Sequence, residues 1–560
     1  MRARRLRRLA ATVGVVTVGS VLGGAAAPAP ASTRQISIIQ DSVWVLKDPA
    51  KTLSTFRALG ASTVRVIVDW AQVAPMAKSR AVPTGFGGGS AAPNGGASDG
   101  TDPADYPAAN WAPYDEIVRL AAADGMGVDF TLSGGAPRWA EGPGIPGAAL
   151  DNPFWAWRPS APDFGQFVHA VGERYSGTYV PPGQSVPLPR VSFWGLWNEP
   201  NFGEDLGPQA VEHSTVSVAP GMYRNLLAAG WNALQATGHG GDTILIGEVA
   251  ARGLSGPATR SHPAGLPGDF GQTKPLTFLR TLYCVDSSYR ELRGAAARAV
   301  GCPATAAASR RFLASNPALF DASGFADHPY PDNSLPPTLD SSKDPNIAPF
   351  SRLSSLEHEL DRLQQVYGSH TRFPIFNTEY GYITHPPNVK AYVSPATAAY
   401  YINWAEYLSW KQPRVASTMQ YLLYDPPPVA TNPGDGGFSS GLLFAGGKPK
   451  PTYAAYRLPL YLPVTSVRRG GTLEVWGCVR PAGYSILDTG QAQSAQIQFA
   501  PGPHGAYVPL GTVTLAGADS CYFDLRLRFP ASGSVRLAYT YPAGLGGTTV
   551  YSRTVSVKVS

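Results

Sequence analysis

Short runs of apolar residues alternate with amphipathic stretches over roughly the first 460 residues of the chain. Eight of these runs have the length and apolar content of buried strands. They cover residues 36–40, 63–70, 126–132, 191–197, 243–249, 324–330, 373–380 and 415–424. Continuous apolar strands with helices between them indicate a parallel sheet covered on both faces. Eight such units predict an α/β fold whose sheet closes into a (β/α)8 TIM barrel, and we assign residues 33–463 to it.

Helical periodicity fills the stretches between the strands. The stretch TLSTFRAL is followed by Gly60 and the stretch YDEIVRLAAAD by Gly125, and a glycine in this position is typical of a helix end. In the segment 354–367 the leucines fall on one face of a helix. Ser354 and Glu357 have the spacing of a capping box, which predicts that this helix begins there.

The predicted barrel region is longer than the roughly 250 residues of a plain barrel. The surplus lies in stretches rich in Gly, Pro and Asp, at residues 81–110, 140–163, 202–220, 252–320 and 425–440. We expect them to be long loops, mostly at the end of the barrel where the carboxyl ends of the strands meet. Barrel enzymes keep their active sites at that end.

The pattern changes after Pro463. Short stretches of alternating apolar and polar residues, from TLEVWGCVR to TVSVKV, are separated by Gly and Pro turns. This region shows no helical period. Residues 465–560 are therefore predicted to form a small all-β sandwich, an accessory domain that follows the barrel.

The first 31 residues have the features of a secretory signal peptide. A basic start, MRARRLRRL, precedes a run of apolar and small residues and the cleavage-type sequence Ala29-Pro30-Ala31. The alternative is an uncleaved anchor, against which Gly23, Gly24 and Pro28 argue. The paired arginines leave both the general and the twin-arginine export route open. We predict a secreted protein and assign residues 1–31 to its signal peptide.

Removal of this leader changes the charge of the chain. The leader carries five arginines and no acidic residue, so its loss lowers the net charge from +6 to +1. The mature chain thus gives no charge argument for binding nucleic acid or an anionic membrane, and we expect neither as a partner. No later segment is long and apolar enough to span a bilayer.

The chain has four cysteines, which in an exported protein suggest two disulfides. Cys284 and Cys302 are close in sequence, and Cys478 and Cys521 both lie in the predicted sandwich. Pairing within each neighbourhood is the expected arrangement, although four cysteines permit three connectivities. No cysteine or histidine cluster has the spacing of a zinc site, and we expect no metal.

Two glutamates come at the ends of predicted strands. Glu199, in WGLWNEPNF, ends the fourth strand, and Glu379, in FNTEYG, ends the seventh. Side chains at the carboxyl ends of barrel strands converge on one mouth. Cleavage of a glycosidic bond needs two carboxyl groups so placed, one to protonate the leaving oxygen and one to meet the developing positive charge. The two groups then need different pKa values.

These motifs resemble those of a known group of enzymes. Trp-Asn-Glu-Pro at residues 197–200, with Thr378-Glu379, is similar to the retaining (β/α)8 glycoside hydrolases of clan A, which include families 5, 39 and 51. The resemblance covers roughly residues 36–460. The Asn-Glu-Pro-Asn form and the segment GLLFAGGKPKPTYAAYR favour the family 39-like members.

The resemblance implies a role for each matching residue. Glu199 would be the acid/base and Glu379 the nucleophile. Asn198 would bond the sugar 2-hydroxyl and Glu379, and Arg65 would keep Glu379 ionised. In the His-Pro-Tyr segment after the sixth strand, Tyr330 would contact the nucleophile, and His328 the substrate or the acid/base.

The sequence departs from the family pattern at the eighth strand. Members often carry a tryptophan there as the floor of the sugar site, whereas the nearest candidate here is Tyr421. Tyr421 fits a subsite floor or a core position equally well. Trp139, in GAPRWA, is a further candidate sugar platform with core packing as its alternative. Asp69, Asp129 and Asp327 also lie near strand ends, and we interpret them as structural because no partner singles them out.

The sequence therefore predicts a secreted retaining glycoside hydrolase that acts on an extracellular glycan without metal or cofactor. The alternatives are a non-catalytic carbohydrate-binding protein on a barrel scaffold and a transglycosylase. For the sandwich we favour a structural role over sugar binding. The sugar, the linkage and the exo or endo mode do not follow from these residues.

Overall fold

A computed structural model describes residues 32, 34–84, 86, 100–147, 155–211, 216–254, 271–390, 392–427 and 437–560. The predicted signal peptide, residues 1–31, lies outside the described residues. Within the described part, no helix has both the length and the apolar character needed to cross a membrane.

Eight parallel strands form one sheet, ordered β7-β6-β5-β4-β3-β2-β1-β8. They are β1 (Ile36–Gln40), β2 (Thr63–Asp69), β3 (Gly127–Ser133), β4 (Phe193–Leu196), β5 (Thr243–Ala250), β6 (Gly324–His328), β7 (Ile375–Asn377) and β8 (Ser417–Tyr421). β1 pairs with β8 from Ile36 opposite Ser417. Ile375 closes the ring by bonding the backbone on either side of Val415, with both N–H···O distances 2.8 Å. The predicted (β/α)8 barrel is confirmed.

Helices connect successive strands and cover the sheet. They are α1 (Ser42–Lys47), α2 (Pro49–Leu59), α3 (Trp70–Val73), α4 (Ala108–Ala123), α5 (Ala161–Arg174), α6 (Ala219–Ala236), α7 (Pro275–Leu282), α8 (Gly294–Ala299), α9 (Ala306–Ser309), α10 (Phe312–Ser315), α11 (Ala318–Asp321), α12 (Leu353–Val366), α13 (Pro395–Trp410) and α14 (Pro451–Arg457). Short 3-10 turns lie at Pro103–Asp105, Arg138–Ala140 and Phe350–Arg352. The segment predicted as one long loop at 252–320 thus contains α7 to α11.

The predicted capping box at the start of α12 is wrong. The helix begins at Leu353, and the residue before it, Arg352, makes no side-chain capping bond. Ser354 and Glu357 both lie inside the helix, so neither can act as the residue that precedes it. The leucine face of the prediction is present, with Leu356, Leu360 and Leu363 buried.

Beyond the barrel, the chain forms two sheets around a second core. Their strands are β9 (Leu460–Tyr461), β10 (Ser466–Val467), β11 (Thr472–Cys478), β12 (Gln493–Pro501), β13 (Val508–Leu515), β14 (Tyr522–Arg528), β15 (Gly533–Thr540), β16 (Thr549–Tyr551) and β17 (Val555–Val559). β11 pairs with β9 and β14 in one sheet, whereas β12 pairs with β13 and β15 in the other. Val475 of the first sheet and Ile497 and Val535 of the second are fully buried in that core, as expected for a sandwich.

One element of this region was not expected from its pattern. Residues Ala482–Thr489 form a helix, α15, that ends at Gly490 in the left-handed conformation. The prediction of a region without helices is wrong here. Both expected disulfides are present. Cys284, just after α7, pairs with Cys302, just after α8, and Cys478, at the end of β11, pairs with Cys521, just before β14.

The barrel and the sandwich share a buried ionic contact. Arg480 donates two hydrogen bonds of 2.7 Å to the carboxylate of Glu406 on α13, and the hydroxyl of Tyr522 donates a third over 3.1 Å. Gly60, at the end of α2, lets the backbone of Arg480 approach, because a Cβ atom at Gly60 would lie 2.4 Å from the Arg480 carbonyl carbon. These contacts lie near the amino-terminal ends of the barrel strands.

Candidate active site

The carboxyl ends of the strands open onto a cleft of about 700 Å³. Glu199 and Glu379 both line it, with the side chain of Glu199 16% exposed and that of Glu379 10% exposed. The remaining wall is rich in aromatic rings, which are Phe202, Tyr330, Tyr392, Tyr421 and Phe438. Such a cleft combines apolar faces with a few convergent polar groups, as ligand sites do.

Glu199 lies three residues past the end of β4, in a tight turn rather than in the strand. Trp197 and Glu199 have φ angles of 75° and 36°, which residues with side chains rarely adopt. The backbone N–H of Glu199 donates to the carbonyl of Glu248 over 3.1 Å, which fixes the turn to the next strand. Backbone strain of this kind persists where the surrounding structure holds it, often at functional sites.

Glu379 lies two residues past β7. Its Oε1 accepts a hydrogen bond from Arg65 over 2.6 Å, and its Oε2 accepts one from the hydroxyl of Tyr330 over 3.0 Å. Both carboxylate oxygens are therefore held, and the carboxylate is fixed in the cleft. These are the two contacts that the resemblance implied for Arg65 and Tyr330.

The two glutamates lie close together, with a histidine between them. A carboxylate oxygen of Glu199, a carboxylate oxygen of Glu379 and a ring nitrogen of His328 all lie within 4.8 Å of one another. His328 Nδ1 is 2.9 Å from Glu199 Oε1 and 3.6 Å from Glu379 Oε2. These oxygens are closer than the separation of about 6.5 Å or more at which two carboxyl groups place an attacking water on the far side of a sugar ring.

Arg65 organises the floor of the site from inside the barrel. Its side chain is fully buried on β2. Each of its nitrogens has an acceptor, and these acceptors are Gln40, Thr131, Asn198, Glu248 and Glu379. The pKa of Arg65 is raised, because the nearby carboxylates of Glu248 and Glu379 outweigh the effect of burial. The guanidinium is thus a permanent positive charge beneath Glu379.

The two glutamates have opposite electrostatic environments. Burial, followed by the negative charge of Glu379, raises the pKa of Glu199 to about 8. Burial also opposes ionisation of Glu379. There the positive charges of His328, when it is protonated, and of Arg65, with the hydrogen bonds from Arg65 and Tyr330, lower the pKa below its usual value. At neutral pH one group therefore holds a proton and the other a negative charge.

Burial lowers the pKa of His328 to about 4, so its ring is neutral at neutral pH. The lasting positive charge next to Glu379 is therefore that of Arg65. Nε2 of the ring is buried without a hydrogen-bond partner among the described residues, which leaves Nδ1 as the nitrogen that serves the site.

Asn198 does not make the bond to Glu379 that the resemblance implied. Its Oδ1 accepts from Arg65 over 2.8 Å, and its Nδ2 donates to Asp205 over 3.0 Å. Asp205 was not expected from the sequence. Burial and the nearby charge of Glu199 raise the pKa of Asp205 well above its usual value.

The two aromatic candidates fall in different places. Tyr421 lines the cleft, with its ring 6.3 Å from that of Tyr330 and 5.3 Å from that of Phe438. Trp139 is 8% exposed and packs edge-on against Trp70 in the core, and its Nε1 donates to a backbone carbonyl over 2.9 Å. It is not among the described residues that line the cleft.

Glu248 is the principal site residue that sequence reasoning missed. It lies near the end of β5 and is fully buried, so it forms no part of the cleft surface. Its carboxylate binds Arg65 over 2.6 Å. A signal was available, because TILIGEV carries an acidic residue at the end of an apolar strand, as WGLWNE does. Asp129 and Asp327 are fully buried, and their carboxyl oxygens have no hydrogen-bond partner among the described residues. Burial raises the pKa of Asp129 to about 8.

The cluster of Glu199, His328 and Glu379 has the ligand types of a metal site. A cation there would lie next to the permanent charge of Arg65, which already pairs with Glu379. One oxygen of Glu379 also accepts from Tyr330. These contacts fit a proton-donor and nucleophile pair better than a metal.

No family model matches the chain, and no curated protein does. Several solved structures resemble it in fold. A family 39 glycoside hydrolase from Bacteroides cellulosilyticus WH2 is 13% identical, with a TM-score of 0.43 over 89% of this chain and 80% of that one. A family 1 β-glucosidase from Thermotoga maritima is 13% identical, with a TM-score of 0.43 over 74% and 86%. An exo-β-1,4-mannosidase from Opitutaceae bacterium strain TAV5 is 14% identical, with a TM-score of 0.40 over 76% and 58%.

Proposed function

We propose that this protein is a secreted retaining glycoside hydrolase that cleaves glycosidic bonds of an extracellular carbohydrate. The observation that carries the proposal is the pair formed by Glu199 and Glu379. Oxygens of the two carboxyl groups lie within 4.8 Å, and their pKa values are moved in opposite directions. Retaining enzymes hold their two carboxyl groups about 5–5.5 Å apart.

In the first step, a carboxylate oxygen of Glu379 attacks the anomeric carbon. The bond from that carbon to the leaving oxygen breaks, and Glu199 transfers its proton to the leaving oxygen. This step yields a covalent glycosyl-enzyme. Arg65 and Tyr330 hold the two oxygens of Glu379 in place before the attack, so little reorganisation is needed.

In the second step, Glu199 is a carboxylate and takes a proton from water. The water oxygen bonds to the anomeric carbon, and Glu379 leaves as a carboxylate. Two inversions then retain the configuration of the sugar. Phe202, Tyr421 and Phe438 supply apolar faces in the cleft against which a sugar ring can stack.

Secretion belongs to the same proposal. The basic and apolar leader at residues 1–31 supports it, and so do the two disulfides, which persist in oxidising compartments. No metal or cofactor takes part in the proposed steps.

The roles of the two glutamates are tested by the kinetics of Glu199→Gln and Glu379→Gln on aryl glycosides with activated leaving groups. We expect Glu379→Gln to lose turnover by about 10⁴-fold or more, because the nucleophile is removed. Glu199→Gln should be limited by the second step, so it should release one equivalent of phenol rapidly and then stall. Full turnover in either variant would defeat the proposal. Binding of an intact glycan by a wild-type protein that releases no sugar would favour a carbohydrate-binding protein.

A further inference from the structure

Glu248 occupies an irregular position in an otherwise regular barrel. The pairing of β5 with β6 shifts register between Gly247 and Val249, so Glu248 is the extra residue of a bulge. Its φ angle is 47°, and its side chain is fully buried. A bulge re-aims a side chain, and this one directs a carboxylate into the barrel under the cleft.

The contacts of Glu248 reach both catalytic candidates. Its backbone carbonyl accepts from the N–H of Glu199 over 3.1 Å. Its Oε2 accepts from Arg65 over 2.6 Å, and Arg65 in turn bonds Glu379 over 2.6 Å. Its Oε1 accepts from Thr131 over 3.1 Å, which fixes the orientation of the carboxylate.

The neighbouring strand leaves space for this carboxylate. Gly195, on β4, faces Glu248, and a Cβ atom at Gly195 would lie 2.0 Å from Glu248 Oε1. Such a distance is far inside the contact radius of the two atoms. A side chain at Gly195 would therefore displace the carboxylate of Glu248 from its present position.

We propose that Glu248 is a positioning residue for both glutamates. Its backbone carbonyl holds the turn that carries Glu199, and its carboxylate holds the guanidinium of Arg65, which in turn bonds Glu379. The proposal rests on the proposed glycoside hydrolase function. Glu248 lines no part of the cleft and touches no substrate in this assignment. Its effect is exerted through Arg65 and through its charge.

The charge of Glu248 also acts on the acid. Burial and Glu379 are the larger causes of the raised pKa of Glu199, and the carboxylate of Glu248 adds to them. Charged and titratable groups face Glu248 from every strand and helix packed against it, and they are Arg65, Asp129, Glu199, Tyr223 and His328. Among them only Arg65 carries a permanent positive charge, and Arg65 also forms an ion pair with Glu379.

Glu248→Gln tests the role of the charge with the shape kept. The amide oxygen can accept from Arg65, and the amide nitrogen can donate to the hydroxyl oxygen of Thr131, so a merely structural role survives. We expect the pKa of Glu199 to fall by about 0.5 or more, because one negative charge is lost. The alkaline limb of the kcat/KM profile should move to lower pH, and kcat/KM should fall by about 10- to 100-fold.

The pKa of Glu199 is measured without substrate, by ¹³C NMR titration of protein labelled with [δ-¹³C]glutamate, with Glu199→Gln used to assign the signal. Glu359→Gln is the matched control. Glu359 is also a buried carboxylate that accepts from an arginine and a tyrosine, Arg280 and Tyr289, but it lies on α12 and contacts none of the site residues. It should leave the Glu199 titration unchanged.

Glu248→Asp keeps the charge and shortens the side chain, so the pKa of Glu199 should stay raised while kcat/KM falls. This variant also serves if Glu248→Gln does not fold. An unchanged Glu199 titration in Glu248→Gln, or full kcat/KM in both variants, would overturn the proposal. If Glu199→Gln and Glu379→Gln retain turnover, the assignment of the two catalytic glutamates fails, whereas the NMR titration still measures the coupling of Glu248 to Glu199.

Discussion

His328 and Glu199 share one short contact, 2.9 Å between the ring Nδ1 and the carboxyl Oε1. Burial lowers the pKa of His328 to about 4, and burial with the charge of Glu379 raises that of Glu199 to about 8. At neutral pH Glu199 therefore carries its proton and the ring of His328 is neutral. The histidine thus contacts the acid at neutral pH without adding a positive charge beside it.

This relationship predicts the pH dependence of catalysis. Glu199 must be protonated and Glu379 ionised in the free enzyme, so kcat/KM should follow a bell-shaped profile. Activity should fall as the pH rises through about 8, where Glu199 loses its proton. On the acid side it should persist below the usual glutamate range, because the pKa of Glu379 is lowered. Initial rates on an aryl glycoside from about pH 3 to about 10 would measure the alkaline limb and show whether activity persists below the usual glutamate range. An alkaline limb near pH 5 would contradict the assignment of the acid.

Tyr330→Phe should move the acid limb. The hydroxyl of Tyr330 donates to Glu379 over 3.0 Å and lowers the pKa of Glu379, so its loss should raise that pKa. The acid limb of kcat/KM should then shift to higher pH, and kcat should fall by about tenfold. Tyr484→Phe is the control, because it removes a buried hydroxyl that bonds the Ala61 carbonyl, away from the cleft. An unmoved acid limb in Tyr330→Phe would remove this tyrosine from the site.

Arg65→Lys should damage both activity and stability. Lysine has no planar fork, so it cannot serve the acceptors that Arg65 holds on three sides. We expect kcat/KM to fall by about 10²- to 10³-fold and the free energy of unfolding to fall by about 3 kcal/mol or more. Arg190→Lys, in a pair with Asp242 in which the arginine side chain is 39% exposed, should cost less than about 1 kcal/mol. Equal effects of the two substitutions in urea unfolding would show that burial of Arg65 is not what matters.

The barrel and the two glutamates follow from sequence pattern because each depends on local signals. Strand length was harder, since β4 and β7 are shorter than the apolar runs 191–197 and 373–380 that contain them. The runs continue into the turns that carry Glu199 and Glu379, because those turns are buried as well. Pattern alone cannot separate a buried strand from a buried turn.

The sequence did not predict which side chains contact each other across the barrel. The amide of Asn198 was expected to contact Glu379, but Arg65 and Asp205 occupy its two ends. Asp205 lies in a loop, and its direction depends on the packing of the whole mouth. Glu248 had the same strand-end signal as Glu199, and only the bulge in β5 shows that its carboxylate turns inward.

The buried contact of Arg480 with Glu406, between the barrel and the sandwich, allows a test that leaves the cleft unchanged. Glu406 accepts two hydrogen bonds from Arg480, so Arg480→Met should leave its buried carboxylate without a charged partner. We expect the free energy of unfolding to fall by about 3–5 kcal/mol. The double variant Arg480→Met with Glu406→Gln should regain much of this loss, because no uncompensated charge remains. Urea unfolding of the single and double variants measures the coupling. The folded variants should keep wild-type kcat/KM, because this contact lies near the amino-terminal ends of the barrel strands and the cleft lies at their carboxyl ends. A double variant no more stable than Arg480→Met would mean that shape rather than charge governs this contact.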